Sequence, residues 1–282
     1  MNRSSTCLHV LHFYYRIQEP TSFMEPPTGA VDKIEVDRQN QSRIMYSEGG
    51  ALYTSDGISR TFILSSGSIR FFTQLSCSKI LIANRNVTQT VNRSTGSVQD
   101  LILNYPPGVI PSCFVTDMLM DKINNSQVIV SCWFFGRLVA TVDFVTGDIN
   151  ALTDQTLGIE GVTQHDNGDI YFTSQRTIHM ISYSSKTVTP LDIADAPFRA
   201  LRHIQFISED ILIVAGFQNN QLYLVDLAER NFTSIDACPE DNPLGSCRPT
   251  TVLVTKDYLY AGYNSIPLQK FARKYLPILF DE

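Results

Sequence analysis

Six short runs of branched and aromatic residues recur along this chain. They are Ile44-Met45-Tyr46, Ile80-Leu81-Ile82-Ala83, Val128-Ile129-Val130-Ser131, Ile170-Tyr171-Phe172-Thr173, Ile211-Leu212-Ile213-Val214 and Tyr258-Leu259-Tyr260-Ala261. Their starts lie 36, 48, 42, 41 and 47 residues apart. Each run has the length and composition of a buried strand and is too short for a helix. A period of about forty residues, all of it strand-like, predicts units that bury their faces only against their neighbours.

The clearest unit runs from Gly161 to Leu191 and reads as four strands, with Asp166-Asn167-Gly168-Asp169 as the first turn. Asp169, Asp210 and Asp257 are placed at one position of this turn in three units, where an Asp closes the turn through its own backbone. A second signal runs in phase with the first: Ser66-Gly67-Ser68-Ile69, Thr95-Gly96-Ser97-Val98 and Thr146-Gly147-Asp148-Ile149, then Ser185-Lys186-Thr187-Val188 and Glu229-Arg230-Asn231-Phe232 without the glycine. It marks the turn between third and fourth strands, where glycine permits a positive φ. The expectation is an all-β, six-bladed β-propeller of four-stranded antiparallel blades over residues 36–282. Residues 1–35 form a lead-in that lends a ring-closing strand beside Ala261–Phe271. The 29 residues from Gly67 to Gly96 are too few for a whole blade, which leaves one early blade degenerate or incomplete in this reading.

A net charge of −6, with no cluster of Lys or Arg, lacks the electrostatic footprint of a nucleic-acid or anionic-membrane binder. No run of eighteen apolar residues occurs, so direct insertion in a membrane as a helix is not expected. Asn-x-Ser/Thr sequons stand at Asn2, Asn40, Asn86, Asn92, Asn124 and Asn231, several of them in expected turns, and point to a glycosylated chain. Cysteine spacing agrees. Cys238 and Cys247 bracket a loop that a disulfide can staple, and Cys113 and Cys132 lie at the two ends of one expected hairpin. Cys7 and Cys77 remain as a third pair or as free thiols. The expected location is extracellular or cell-surface. The N-terminal stretch has no convincing signal-peptide core, so the chain is expected to be a fragment of a longer secreted or anchored protein.

From about Val36 to Arg273, the repeated strands and Thr-Gly-Ser/Asp-Val turns resemble the NHL-repeat propellers and the related six-bladed group that includes the gluconolactonase and regucalcin family. Tyr171-Phe172-Thr173-Ser174 is also similar to the Tyr-Trp-Thr-Asp repeat of the low-density-lipoprotein-receptor propellers, though it lacks the Trp and the Asp. The gluconolactonase resemblance implies a divalent cation, calcium or zinc, in the central channel. Glu160 of Glu160-Gly161-Val162 would be its first ligand, in a motif that has Val where that family has Pro, and Asn167 and Asp117 are the nearby oxygens that could complete it. Aligned on Asp169, the sister blades place Leu201 and Arg248 at the position of Glu160, an apolar residue and a cation. No nucleophile elbow, zincin or nucleotide-binding motif occurs. The expected function is therefore a binding or scaffolding module without cofactor, recognising a protein or other extracellular ligand through its loop faces. The alternative is a metal-dependent lactonase or esterase built on Glu160.

Overall fold

Every regular element among the described residues is a β-strand. The structure, a computed structural model, describes residues 15–16, 21–22, 30–56, 58–83, 88–105, 114–133, 138–153, 158–236, 238, 247–264, 266 and 268–272. Its strands form six antiparallel blades that run in chain order from an inner strand outward, with Tyr15–Arg16 added parallel to the outer strand of blade 5. Blade 1 is Val31–Val36, Ile44–Glu48, Gly50–Ser55 and Arg60–Ile69; blade 2 is Phe71–Gln74, Lys79–Ala83, Thr88–Asn92 and Val98–Asp100. Blade 3 is Phe114–Met120, Gln127–Trp133, Leu138–Asp143 and Ile149–Ala151, and blade 4 is Ile159–Gln164, Ile170–Ser174, Thr177–Ile181 and Val188–Pro190. Blade 5 is Leu201–Phe206, Ile211–Gly216, Gln221–Asp226 and Asn231–Asp236. Blade 6 has Pro249–Val254, Tyr258–Tyr263 and Gln269–Ala272, and takes its fourth strand from Thr21–Ser22, antiparallel to the last of these. A ring closed by the opposite end of the chain leaves no edge between its first and last blades. The six recurrent runs are the second strands of the six blades.

The core explains the period. The buried hydrophobic residues fall into six clusters, and each cluster lies between two neighbouring blades. Phe72, Ile80 and Ile82 of blade 2 pack on Met45 and Leu52 of blade 1, for example, and Ile129 and Val139 of blade 3 pack on Ile159 and Phe172 of blade 4. Each such side chain contributes about 1.5–3 kcal/mol by leaving water, and only a neighbouring blade can cover it. Hydroxyls staple the same joints: Ser47 Oγ donates to the Arg70 carbonyl, Thr116 Oγ1 to that of Ile159, Thr173 Oγ1 to that of Arg202 and Thr250 Oγ1 to that of Val31.

Three expectations are corrected by strand register. Gly67 lies inside the outer strand of blade 1, not in a turn; the turn before that strand is closed by Asp56, whose Oδ1 accepts from the backbone N–H groups of Ile58 and Ser59. The short Gly67-to-Gly96 interval therefore measures something other than a blade, and blade 2 has all four strands. The first blade also starts at Val31, ahead of the expected boundary at 36. Finally, Gln164 pairs with Ile170, Phe206 with Leu212 and Val254 with Leu259. This register makes Asp169 equivalent to Ile211 and Tyr258, so Asp210 and Asp257 sit one place earlier. The turn between third and outer strands follows the expected pattern, with φ of 70° at Gly96, 81° at Gly147, 57° at Lys186 and 52° at Arg230.

Candidate functional site

The functional geometry begins with a backbone irregularity. In blades 1, 3, 4, 5 and 6 the register of the inner strand shifts near its start, so that an extra residue faces the second strand. A plain strand sends successive side chains to opposite faces, whereas a bulge re-aims one of them. Adjacent residues can then both look toward the propeller axis. By register, Asp32, Arg70, Thr116, Glu160, Arg202 and Thr250 are equivalent and make one layer where the inner strands begin; Lys33, Phe71, Asp117, Gly161, His203 and Thr251 make the next.

The deeper layer is closed by charge. Lys33 Nζ donates to Asp117 Oδ1 at 2.6 Å and lies 3.4 Å from His203 Nε2, which is 3.6 Å from Asp117 Oδ2. Lys33, Asp117 and His203 come from blades 1, 3 and 5, and all three are buried. The Asp117 carboxylate also accepts from the N–H of Met118 at 2.8 Å and of Val162 at 3.0 Å. Burial pushes the His203 imidazole down to about 4, with the Lys33 charge acting the same way and Asp117 opposing, so the ring is neutral near pH 7. Val252 N–H points at its Nδ1 at 3.4 Å, while the Lys33 ammonium and the Asp117 carboxylate both face its Nε2.

The outer layer is wetter. Arg202 Nη1 donates to Glu160 Oε2 at 2.7 Å, and the Arg202 guanidinium stacks on Phe217, 4.8 Å from the ring centre. Arg248 covers the same ring at 5.6 Å, from a backbone held at φ 46°. Burial raises the Glu160 carboxyl, against the pull of Arg202. Burial also raises the Asp32 carboxyl to about 6, while the charges of Arg70 and Arg202 hold it down.

Beyond the Lys33–Asp117–His203 layer the channel widens into a cavity of about 370 Å³. Its wall takes one residue from each of five inner strands, Glu35, Leu119, Thr163, Gln205 and Leu253; Lys33 and His203 line its floor and Arg38 its rim. Glu35 accepts hydrogen bonds from the backbone and side-chain amides of Gln74, and burial raises its carboxyl. The volume falls within the range of small-molecule pockets, and apolar wall residues sit beside polar ones.

The three oxygens considered for a cation are not assembled around one point. Asp117 is the counterion of Lys33, Glu160 that of Arg202, and Asn167 lies in the exposed turn beyond the far end of the blade 4 inner strand, where it exchanges hydrogen bonds with Asp169. A hard cation would need several free oxygens, and here each carboxylate already faces a protein cation. Among the described residues no group of three or more His, Cys, Asp or Glu could hold a metal ion. The residues equivalent to Glu160 are Arg202 and Thr250, not Leu201 and Arg248, because pairing matches Ile170 to Leu212 and Leu259 and the blade 6 turn is one residue shorter. Lys33 and His203 belong to no motif and escaped sequence reasoning. Aligning the blades on their second-strand pairs would have put them in one column with Asp117.

Cys238 and Cys247 form a disulfide with Cα atoms 5.6 Å apart, stapling the loop between blades 5 and 6. Cys132 is disulfide-bonded, but Cys113 lies outside the described residues, as do Cys7, Asn2 and Asn86. Cys77 is a free, exposed thiol. Asn40, Asn92 and Asn231 are exposed and Asn124 is half-buried. Among the described residues no helix is long and apolar enough to cross a membrane.

No protein-family model matches the chain, and no curated protein matches it. Solved structures do. A gluconolactonase-like protein superposes with a TM-score of 0.69 at 7% identity, over 89% of this chain and 91% of that one. An auxiliary nutrient binding protein of Bacteroides thetaiotaomicron gives 0.68 at 13% identity, over 88% and 69%. The extracellular domain of a one-component system from the same organism gives 0.63 at 9% identity, over 91% of this chain and 40% of that one. Identities this low establish fold alone. In fold, then, this chain is a six-bladed β-propeller, similar to a gluconolactonase-like protein, to a nutrient binding protein and to the extracellular domain of a one-component system.

Proposed function

We propose that this chain is an extracellular binding module that recognises its ligand at the propeller axis and leaves it chemically unchanged. One observation carries the reading: Asp117 and Glu160, the axial carboxylates that a metal-dependent hydrolase would need, are neutralised by Lys33 and Arg202, while the cavity behind them stays open. Rigid blades hold the wall residues in place, so a ligand entering past Arg38 pays little ordering cost. Glu35, Thr163 and Gln205 supply hydrogen bonds, and Leu119 and Leu253, set between them around the ring, supply apolar contact. A small hydroxylated molecule or the tip of a larger partner fits this chemistry. The Cys238–Cys247 disulfide and the exposed sequons at Asn40, Asn92 and Asn231 support the extracellular part of the proposal.

The test is a thermal-shift screen of monosaccharides, nucleosides and short peptides against the wild-type chain and Thr163→Trp, which fills the cavity. The expected result is a ligand that raises the melting temperature of the wild type only and is recovered unaltered by mass spectrometry. A panel that treats both proteins alike, or a ligand recovered as product, contradicts the reading.

A further inference from the structure

Read around the ring, the outer axial layer is Asp32, Arg70, Thr116, Glu160, Arg202, Thr250: acid, arginine, threonine, and then the same three again in the opposite three blades. The two threonines turn their hydroxyls into the blade joints, Thr116 to the Ile159 carbonyl and Thr250 to the Val31 carbonyl, so neither competes for the charges. The two acid–arginine pairs differ. Glu160 and Arg202 close on each other at 2.7 Å, and Arg202 is further held on the face of Phe217. Asp32 and Arg70, at the equivalent positions, make no ion pair or side-chain hydrogen bond among the described residues. Asp32 nevertheless sits half-buried, and Arg70 is exposed at the rim. A half-buried carboxylate that forgoes an available partner loses free energy that a ligand can restore.

We propose that this open pair is a subsite for a small zwitterion, an α-amino acid being the simplest, with its ammonium group on Asp32 and its carboxylate on Arg70. Such a molecule completes the second half of the ring as Glu160 and Arg202 complete the first. A planar guanidinium suits a carboxylate, and an ammonium with three donors suits a carboxylate oxygen. The subsite lies across the Lys33–Asp117–His203 layer from the cavity, and it goes beyond the function proposed above without depending on which ligand the cavity takes.

Calorimetric titration with each of the common L-amino acids tests it, with acetate and methylammonium as probes that carry one charge each. The expected result is saturable binding of at least one amino acid and of neither single-charge probe. Asp32→Asn and Arg70→Gln should each weaken it roughly ten-fold or more, the scale of one charged hydrogen bond. Circular dichroism confirms that the variants fold, and the exchange of Asp32→Arg with Arg70→Asp should recover binding. The proposal is overturned if no amino acid binds, if acetate binds as tightly, or if both single variants bind like the wild type. Binding lost in Thr163→Trp but kept in the mouth variants would overturn it while leaving the cavity reading intact.

Discussion

The axis carries two charged layers one residue apart on the same strands, and they are built to opposite ends. In the inner layer Lys33, Asp117 and His203 are buried together, with Lys33 and Asp117 paired at 2.6 Å and His203 within 3.6 Å of both. In the outer layer the charges are partly exposed, and one of the two acid–arginine pairs is left open. A buried charge without a partner is too costly to keep, so the inner layer must be self-sufficient and is read as a structural clamp across three alternate blades. An outer charge retains water, so it can wait for a ligand. Burial, more than residue type, separates the clamp from the recognition surface.

The largest expected effect breaks the inner layer. Asp117→Asn leaves the Lys33 ammonium buried without its counterion and should lower stability by roughly 3–5 kcal/mol in urea unfolding. The double variant Lys33→Met, Asp117→Leu should recover much of that loss, because no charge then remains to be stranded. A full loss in the double variant would show that the clamp has a role beyond cancelling its own charges.

Acid should reveal the same layer. His203 is held down to about 4 from an ordinary 6.5. Between those values the unfolded chain takes up a proton that the folded chain refuses, so this group's stabilisation is present above pH 6.5 and is lost as the pH falls through about 4. The loss amounts to roughly 3 kcal/mol at most. Asp32 works in the opposite direction, since it is raised from 3.8 to about 6 and favours the folded state as it protonates. The comparison therefore needs His203→Gln, whose unfolding curve should depend less on pH between 7 and 4 than that of the wild type. Parallel curves would place the imidazole outside the clamp.

Gly161→Ala joins the two layers. A Cβ at Gly161 would stand 2.2 Å from the Arg202 carbonyl oxygen, a backbone atom with little freedom to retreat. The cost should be about 1–3 kcal/mol by thermal unfolding, with blades 4 and 5 pushed apart. Glu160→Gln is expected to do least. It opens the closed pair at the mouth, where Arg202 is 40% exposed, and should change stability by no more than about 1 kcal/mol. A change as large as that of Asp117→Asn would erase the distinction between the layers.

Much of the architecture was legible in the sequence because repetition averages out local ambiguity. Lys186 and Arg230 could be placed at a positive φ by phase alone, although neither is glycine. What misled was counting. Gly67 resembles its sister turn residues but lies within a strand, and the Asp169 turn aligns one place off because pairing matches Ile170 to Leu212 and Leu259, not to Ile211 and Tyr258. Bulges hid the site for a related reason. They insert a residue at the start of an inner strand without a composition of their own, so the acid–arginine–threonine repeat and the column of Lys33, Asp117 and His203 appear only when strands are matched by pairing. Glu160 stands out in the sequence, but its partner Arg202 is hidden one residue beyond Leu201.

Asp117 and Glu160 are each satisfied by a protein cation, and on that ground the axis is proposed to recognise without metal chemistry. Calorimetric titration of the purified chain with calcium and with zinc tests it most directly, with Glu160→Gln alongside. The expected result is no saturable heat at the axis and identical traces for wild type and variant. A saturable site that disappears in Glu160→Gln would contradict it and make the axis a metal centre.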